Sequence, residues 1–292
     1  MVNVLWEWEE TPCLLCGSTA ARPLLWRQRP RHVVCRECGL VYQNPRPTVA
    51  SIQAYYERGY WEDRGSADDA RHDVSQQRGA AIAALARNVI GKDDLIVEVG
   101  CGHGKILAYV RDQFACQALG VEPSLAQCAA ARERFGLELI QGGLDDLDLG
   151  GRKAKLLILS HVLEHFHEPR AALARCRAAL ADDGWIFVEV PSILCPHPAK
   201  RLSTWLSIEH MVYFSLTTLS QMLAETGFRV TATESSTFVR AFAQNTAGLP
   251  QTHGGSPAFN EYWPVRRALL RHEIHYWPRY AAQRAVAMLS GK

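Results

Sequence analysis

Hydrophobic residues fall along this chain in short runs separated by amphipathic stretches. The densest run, Leu95-Ile96-Val97, is apolar at consecutive positions, as a strand covered on both faces requires. Comparable runs predict strands at Leu95–Val99, Cys116–Val121, Glu138–Gln141, Lys155–Ser160 and Trp185–Val190, with another near Arg229–Glu234. Helical periodicity between them predicts helices over 104–114, 124–135, 170–181 and 216–226, and a turn at 162–164. Upstream, Ala50–Arg58 and Arg78–Val89 read as helices, the second with Ile82, Leu85 and Val89 on one side and Gly91 as its stop. Alternating strands and helices predict an α/β fold, a largely parallel sheet with helices on both faces. Beyond residue 235 the pattern weakens. Thr246–Pro257 reads as loop, and Val265–Arg271 and Tyr280–Leu289 as helical. The chain therefore divides into an N-terminal module (1–45), a helical arm (46–90), the α/β domain (91–235) and a C-terminal helical extension (236–292). That extension is either a cap on the core, an acceptor wall or a homodimer surface.

With 292 residues, 48% of them hydrophobic, the chain can bury a core of this size. A net charge of only +2 argues against a dedicated nucleic-acid binder. The opening MVNVLWEWEE has no basic start or apolar run, so no signal peptide is expected, and no stretch has the length of a membrane span. Four of the nine cysteines form two CxxC pairs and five are scattered in apolar segments. That distribution suits a reducing cytoplasm.

Cys13-Leu-Leu-Cys16 and Cys35-Arg-Glu-Cys38 are separated by a span typical of four-cysteine zinc sites, and each is followed by a glycine. One CxxC turn brings two thiolates to one ion and two such turns complete a tetrahedron. The expectation is a zinc ribbon with a structural Zn2+ on Cys13, Cys16, Cys35 and Cys38.

The strand Leu95–Val99 runs into Gly100, Gly102 and Gly104. A dinucleotide loop would read GxGxxG and cradle phosphate; this one reads GxGxG behind an acid, Glu98. A carboxylate there repels phosphate and suits the ammonium of an amino acid, which points to S-adenosylmethionine. Glu122, just after the second strand, is placed for ribose hydroxyls. The turn Gly142–Asp146 is suited to an adenine edge. Ser160 and His161 follow the fourth strand, with His161 expected beneath the cofactor. The tyrosine cluster Tyr55, Tyr56, Tyr60 suggests packing or a lid, with Tyr56 or Tyr60 reaching the amino-acid end of the cofactor.

IVEVGCGHG, VEPS and SHVLEHFHEP resemble the successive motifs of class I methyltransferases, over roughly residues 80–235. The resemblance implies a Rossmann-like sheet and an S-adenosylmethionine site in which Glu98, Gly100, Gly102 and Gly104 hold the methionine end. It also implies that Glu122 holds the ribose and that Gly143 and Leu144 flank adenine. Gly143 stands where the family often has an acid, with Asp145 as a substitute. The two CxxC pairs, CGLVYQNPRP, the tyrosine-rich arm and IEHMVYFS are similar to a bacterial subgroup that includes sugar C-methyltransferases. That similarity implies acid/base roles for Glu209, His210 and His165. Two features depart from the subgroup: Leu206 and Ser207 replace a tyrosine before Glu-His, and little chain follows residue 235. The acceptor expected is a small molecule, a sugar or secondary metabolite, methylated at O, N or C. The competing expectations are an RNA methyltransferase that uses the ribbon for substrate recognition, and a non-catalytic partner-binding protein on the same scaffold.

Overall fold

The structure, a computed structural model, describes residues 5–24, 30–58, 72–247 and 260–289. Short strands open the chain: β1 (Trp8–Glu9), β2 (Ala21–Pro23), β3 (His32–Cys35), β4 (Val41–Gln43) and β5 (Arg46–Pro47). Two helices follow, α1 (Val49–Arg58) and α2 (His72–Ala86). The alternating region then runs β6 (Leu95–Val99), α3 (Lys105–Phe114), β7 (Gln117–Glu122), α4 (Leu125–Phe135), β8 (Glu138–Gln141), β9 (Ala154–Ser160), α5 (Pro169–Ala179) and β10 (Leu180–Pro191). It closes with α6 (Leu202–Trp205), β11 (Val212–Tyr213), α7 (Leu216–Glu225), β12 (Phe228–Ser235), β13 (Phe238–Asn245) and α8 (Tyr262–Leu289).

The central sheet has seven strands in the order β12-β13-β10-β9-β6-β7-β8. β6 pairs parallel with both β7 and β9, and β13 runs antiparallel to β10 and β12. Every residue of β6 is buried, as its uninterrupted apolar run predicts. Val97 and Val99 feed one apolar cluster and Ile96 the other, so successive side chains supply opposite faces. The chain leaves β6 toward β7 and β8, then returns to β9 on its other side. That reversal opens a crevice beyond the carboxyl ends of β6 and β9, where ligands of such sheets bind.

β13 lies past residue 235, so the sheet extends ten residues beyond the expected edge of the α/β domain, to Asn245. Its sequence, FVRAFAQN, mixes Arg240 and Gln244 with apolar residues and lacks a β-branched run. α2 also differs from expectation. Its buried face is Ile82 and Ala86, while Leu85 is exposed. A Cβ on Gly79 would lie 2.8 Å from the Tyr109 ring, so glycine there lets α2 settle closely on α3. The two helices expected in the extension form one, with Pro278 inside it.

The N-terminal module is part of this body. β2, β3 and β4 form a sheet whose fourth strand is β11, drawn from the IEHMVYFS segment. Arg46 joins Glu9 (2.7 Å) to Glu168 (2.9 Å) and donates to the His167 carbonyl. His167 Nε2 contacts the Pro47 carbonyl at 2.8 Å. A Cβ on Gly39, whose φ is +81°, would sit 2.5 Å from the Glu261 backbone, so the second cysteine turn is pressed against the start of α8. No described helix is long and apolar enough to cross a membrane.

Candidate active site

The crevice is floored by the loop after β6. Gly100, Gly102 and Gly104 all have positive φ (67°, 55° and 72°), which folds the loop back over β7. A Cβ on Gly100 would meet Val162 at 2.6 Å, so the loop lies hard against the segment after β9. Glu98 is buried, and its Oε2 has no hydrogen-bond partner. Burial pushes its carboxyl up to about 8, against the pull of the Leu107 backbone at the first turn of α3. A buried carboxylate oxygen without a partner fits an ammonium group. Glu122, also buried, accepts from the Gly102 N–H through Oε2 and from the Ser124 N–H through Oε1, both at 2.9 Å. Each oxygen retains a lone pair for a ribose diol. The structure thus brings together Glu98, the three glycines and Glu122.

The loop after β8 fits its expected role in part. Gly143 faces open space, and its N–H is held by Asp146 (2.8 Å). The Leu144 side chain instead packs in the core, so this turn offers a ligand mainly backbone. Asp145 is exposed and paired with Arg175 at 3.1 Å. Tyr60 and the Tyr56 side chain lie outside the described residues.

Beyond β9 a chain of charged groups begins. His161, at φ +58°, sets Nδ1 3.2 Å from Glu164 Oε1, while its Nε2 lies 3.2 Å from Glu189 Oε1 and 2.7 Å from Arg78 Nη2. Ser160 Oγ donates to Glu189 at 3.5 Å. Burial opposes charge on His161, but Glu164 and Glu189 outweigh it and raise its pKa. Burial would likewise raise Glu164 and Glu189; the hydrogen bonds from His161 outweigh it and hold both at about 2. His161 is therefore tied between two carboxylates at the edge of the crevice. Arg78 and Arg240, each bonded to Glu189, complete the cluster and were not foreseen from sequence. An acid inside the apolar strand Trp185–Val190 was the one available signal.

Beside this cluster, and sharing Glu164 with it, lies a second polar corner. His165 Nδ1 sits 3.0 Å from the Glu209 carbonyl oxygen, and its Nε2 4.0 Å from Glu164. His165 and His210 meet edge to face, with ring centres 4.8 Å apart. Burial lowers the pKa of His165, and burial together with repulsion from His165 takes His210 well below the ordinary value. Tyr55 of α1 donates to Glu209 at 3.4 Å, so the tyrosine arm reaches this corner. Gln43 is a third residue that sequence reasoning missed. Its amide donates to the carbonyls of Ile208 (2.8 Å) and His210 (2.7 Å), and its N–H bonds the Met211 carbonyl (2.9 Å). The N-terminal module thereby fixes the loop that carries Glu209 and His210.

The four cysteine sulfurs lie within 4.8 Å of one another, with the Cys13–Cys38 and Cys16–Cys35 pairs at 3.5 Å. A tetrahedral ion with Zn–S bonds of about 2.3 Å needs sulfurs about 3.8 Å apart, so the set fits zinc after shifts of no more than about an ångström. The Gly17 and Gly39 N–H groups bond the Cys13 and Cys35 carbonyls and close both turns.

Residues 71–233 match the family described as a methyltransferase domain. The chain is 28% identical over 203 residues to the C-methyltransferase NovU of Streptomyces niveus, a match covering 68% of this chain and 46% of that protein. It is 22% identical over 215 residues to the O-methyltransferase cnsE of Penicillium expansum, covering 69% and 75%. Among solved structures it resembles a Burkholderia thailandensis 1,6-didemethyltoxoflavin-N1-methyltransferase (TM-score 0.56, 16% identity), over 77% of this chain and 100% of that one. That last likeness speaks to the fold.

Proposed function

The chain belongs to the methyltransferase-domain family, and on that premise we propose that it transfers a methyl group from S-adenosylmethionine to a small-molecule acceptor. The acceptor is a sugar or secondary metabolite, the class suggested by relatives named as C- and O-methyltransferases. The observation that carries the reading is Glu98, whose buried, unpartnered oxygen stands in the crevice beside Glu122. Together they match a ligand with a cationic amino-acid tail and a ribose. Arg78 is near enough to Glu98 to influence its charge and suits the carboxylate of that tail.

When bound, the cofactor supplies an electrophilic methyl on a sulfonium, so positioning provides most of the rate. Glu98 and the glycine loop hold the tail, Glu122 the ribose, and the backbone at Gly143 the adenine side. The acceptor lies against His165, Glu209 and His210. With its pKa depressed, the His210 imidazole is neutral near pH 7 and is the group in this corner able to take an acceptor's proton. The four cysteines hold a structural Zn2+ that cross-links the two turns of the module and takes no part in transfer. Calorimetry with S-adenosylmethionine tests the core of this reading. Binding that weakens in Glu98→Ala is expected; no binding, or unchanged binding in the variant, rejects it.

A further inference from the structure

Among the described residues, several buried polar atoms at the acceptor corner have no hydrogen-bond partner: Glu164 Oε2 and His210 Nδ1, with Gln43 Oε1 and Ser207 Oγ on the segments that hold the loop. A native fold pairs nearly all such atoms, and the carboxylate and imidazole among these orphans are groups that an ion can satisfy. Glu164, His165 and His210 each present one donor atom, and these atoms lie within 4.8 Å of one another. A carboxylate with two imidazoles is the donor set of a divalent transition metal, and three protein ligands leave positions open for a substrate.

The surroundings orient the donors as partners behind metal ligands do. His161 Nδ1 lies 3.2 Å from Glu164 Oε1, on the opposite oxygen from the orphan. The Glu209 carbonyl oxygen lies 3.0 Å from His165 Nδ1; by accepting a proton there it makes Nε2 the lone-pair nitrogen of that ring. Nε2 is also the atom on the Glu164 side, 4.0 Å from Oε1, the oxygen that His161 also approaches. The Gln43 amide holds the His210 carbonyl at 2.7 Å and so fixes the third donor's backbone. Bonds of about 2.1 Å to one ion require donors about 3.0–3.4 Å apart, so the three side chains close inward by about an ångström or so on loading.

We propose that Glu164, His165 and His210 bind one divalent transition-metal ion, separate from the ion of the four cysteines, whose open positions take the acceptor's oxygen. The proposal rests on the assignment of this corner as the acceptor end. It favours acceptors that chelate, such as a phenol or hydroxyl beside a carbonyl or second hydroxyl. In the loaded protein the ion, rather than His210, activates the acceptor. An ion held by these three residues would lower the pKa of a coordinated acceptor hydroxyl, so that its proton would pass to solvent. The bond between methyl and sulfur then breaks as the bond between methyl and acceptor oxygen forms, and the sulfonium leaves as a neutral thioether.

The test is cobalt titration of the full chain, followed by metal analysis and absorption spectroscopy. The expected result is two cobalt ions per chain. One gives the intense thiolate spectrum of the four cysteines. The second gives a weaker band without thiolate character, lost in both Glu164→Gln and His210→Ala while the thiolate spectrum stays. One cobalt per chain at saturation, with a purely thiolate spectrum, overturns the proposal on the wild-type chain alone. That outcome stands whether or not the buried Glu164 variant folds. Retention of the second band in a folded His210→Ala chain overturns it equally. Calorimetry with S-adenosylmethionine on the same preparation keeps the two readings apart. A chain that binds S-adenosylmethionine but one cobalt loses the metal site and keeps the methyltransferase. A chain that binds two cobalt ions but no S-adenosylmethionine keeps the site and loses the function.

Discussion

The two ends of the crevice are built differently. The cofactor end is made from neighbouring turns of one sheet: Glu98 is the penultimate residue of β6, Glu122 ends β7, and the glycine loop between them binds Glu122 through the Gly102 N–H. The acceptor end is assembled from distant segments. His165 comes from the turn after β9, Glu209 and His210 from the loop before β11, Tyr55 from the arm, and Gln43 from the cysteine module. A site made by local chain geometry survives loss of its neighbours. A site pinned together by long-range contacts depends on every segment that pins it.

The sharpest way to break this contrast is to remove the pin. Cys35→Ser should abolish metal retention at the four-cysteine site, where structural zinc contributes on the order of 10 kcal/mol in small domains. Loss of β4 then releases β11 and the loop before it. Turnover should fall by at least about 100-fold while cofactor affinity changes by less than about 5-fold, a split read by metal analysis, kinetics and calorimetry together. Equal losses at both ends would remove the distinction. His210→Ala acts within the acceptor end only. The single-turnover rate should drop by roughly 10²–10⁴, the range of acid/base groups, with cofactor affinity unchanged.

Glu98→Gln addresses the other end. S-adenosylmethionine affinity should weaken by roughly 10- to 100-fold, as for a lost hydrogen bond to a charged group. This variant also carries a pH signature. In the cofactor-free fold the Glu98 carboxyl is raised from 4.5 to about 8 by burial. The folded chain therefore holds a proton that the unfolded chain has released between those values. Stability from this group is full below the unfolded value and is lost as pH rises through about 8. Denaturation of the wild type relative to Glu98→Gln should show that decline. The bound ammonium favours the ionised carboxylate, so wild-type cofactor affinity should rise with pH over the same window and the variant's should stay flat. The smallest effect is expected from Gln43→Ala. Removing donors to the Ile208 and His210 carbonyls should lower turnover by about 5- to 20-fold, the scale of unsatisfied buried carbonyls, with cofactor binding intact.

The same contrast explains what could be read from sequence. Strand β6 matched expectation at both ends because a dense apolar run stopped by a glycine turn leaves little choice of boundary, and β8 matched because Gly136 and Gly142 confine its Leu139-Ile140 pair. Glu98 and Glu122 were legible because their place at the carboxyl end of a strand, beside a glycine loop, states their geometry. Gln43 was not, since nothing in VYQNPRP shows that its amide meets carbonyls over 160 residues away. Arg78 read as one charge on an amphipathic helix, and its pairing with Glu189 follows from how α2 crosses the sheet edge. β13 was missed because its polar positions interrupt the pattern. That the Leu144 side chain serves the core was not legible from its place in the motif.

The sharing of β11 between the cysteine sheet and the acceptor loop bears on how such chains can recombine. A ribbon swapped in from a relative would arrive without its fourth strand and would meet a foreign one. Grafts that carry residues 5–47 alone should yield hybrid chains with a frayed edge strand and a displaced acceptor loop. Transferring residues 207–214 with them would restore the match. Inheritance at this end of the molecule is therefore expected to travel in pairs of segments that lie far apart in the gene and side by side in the fold.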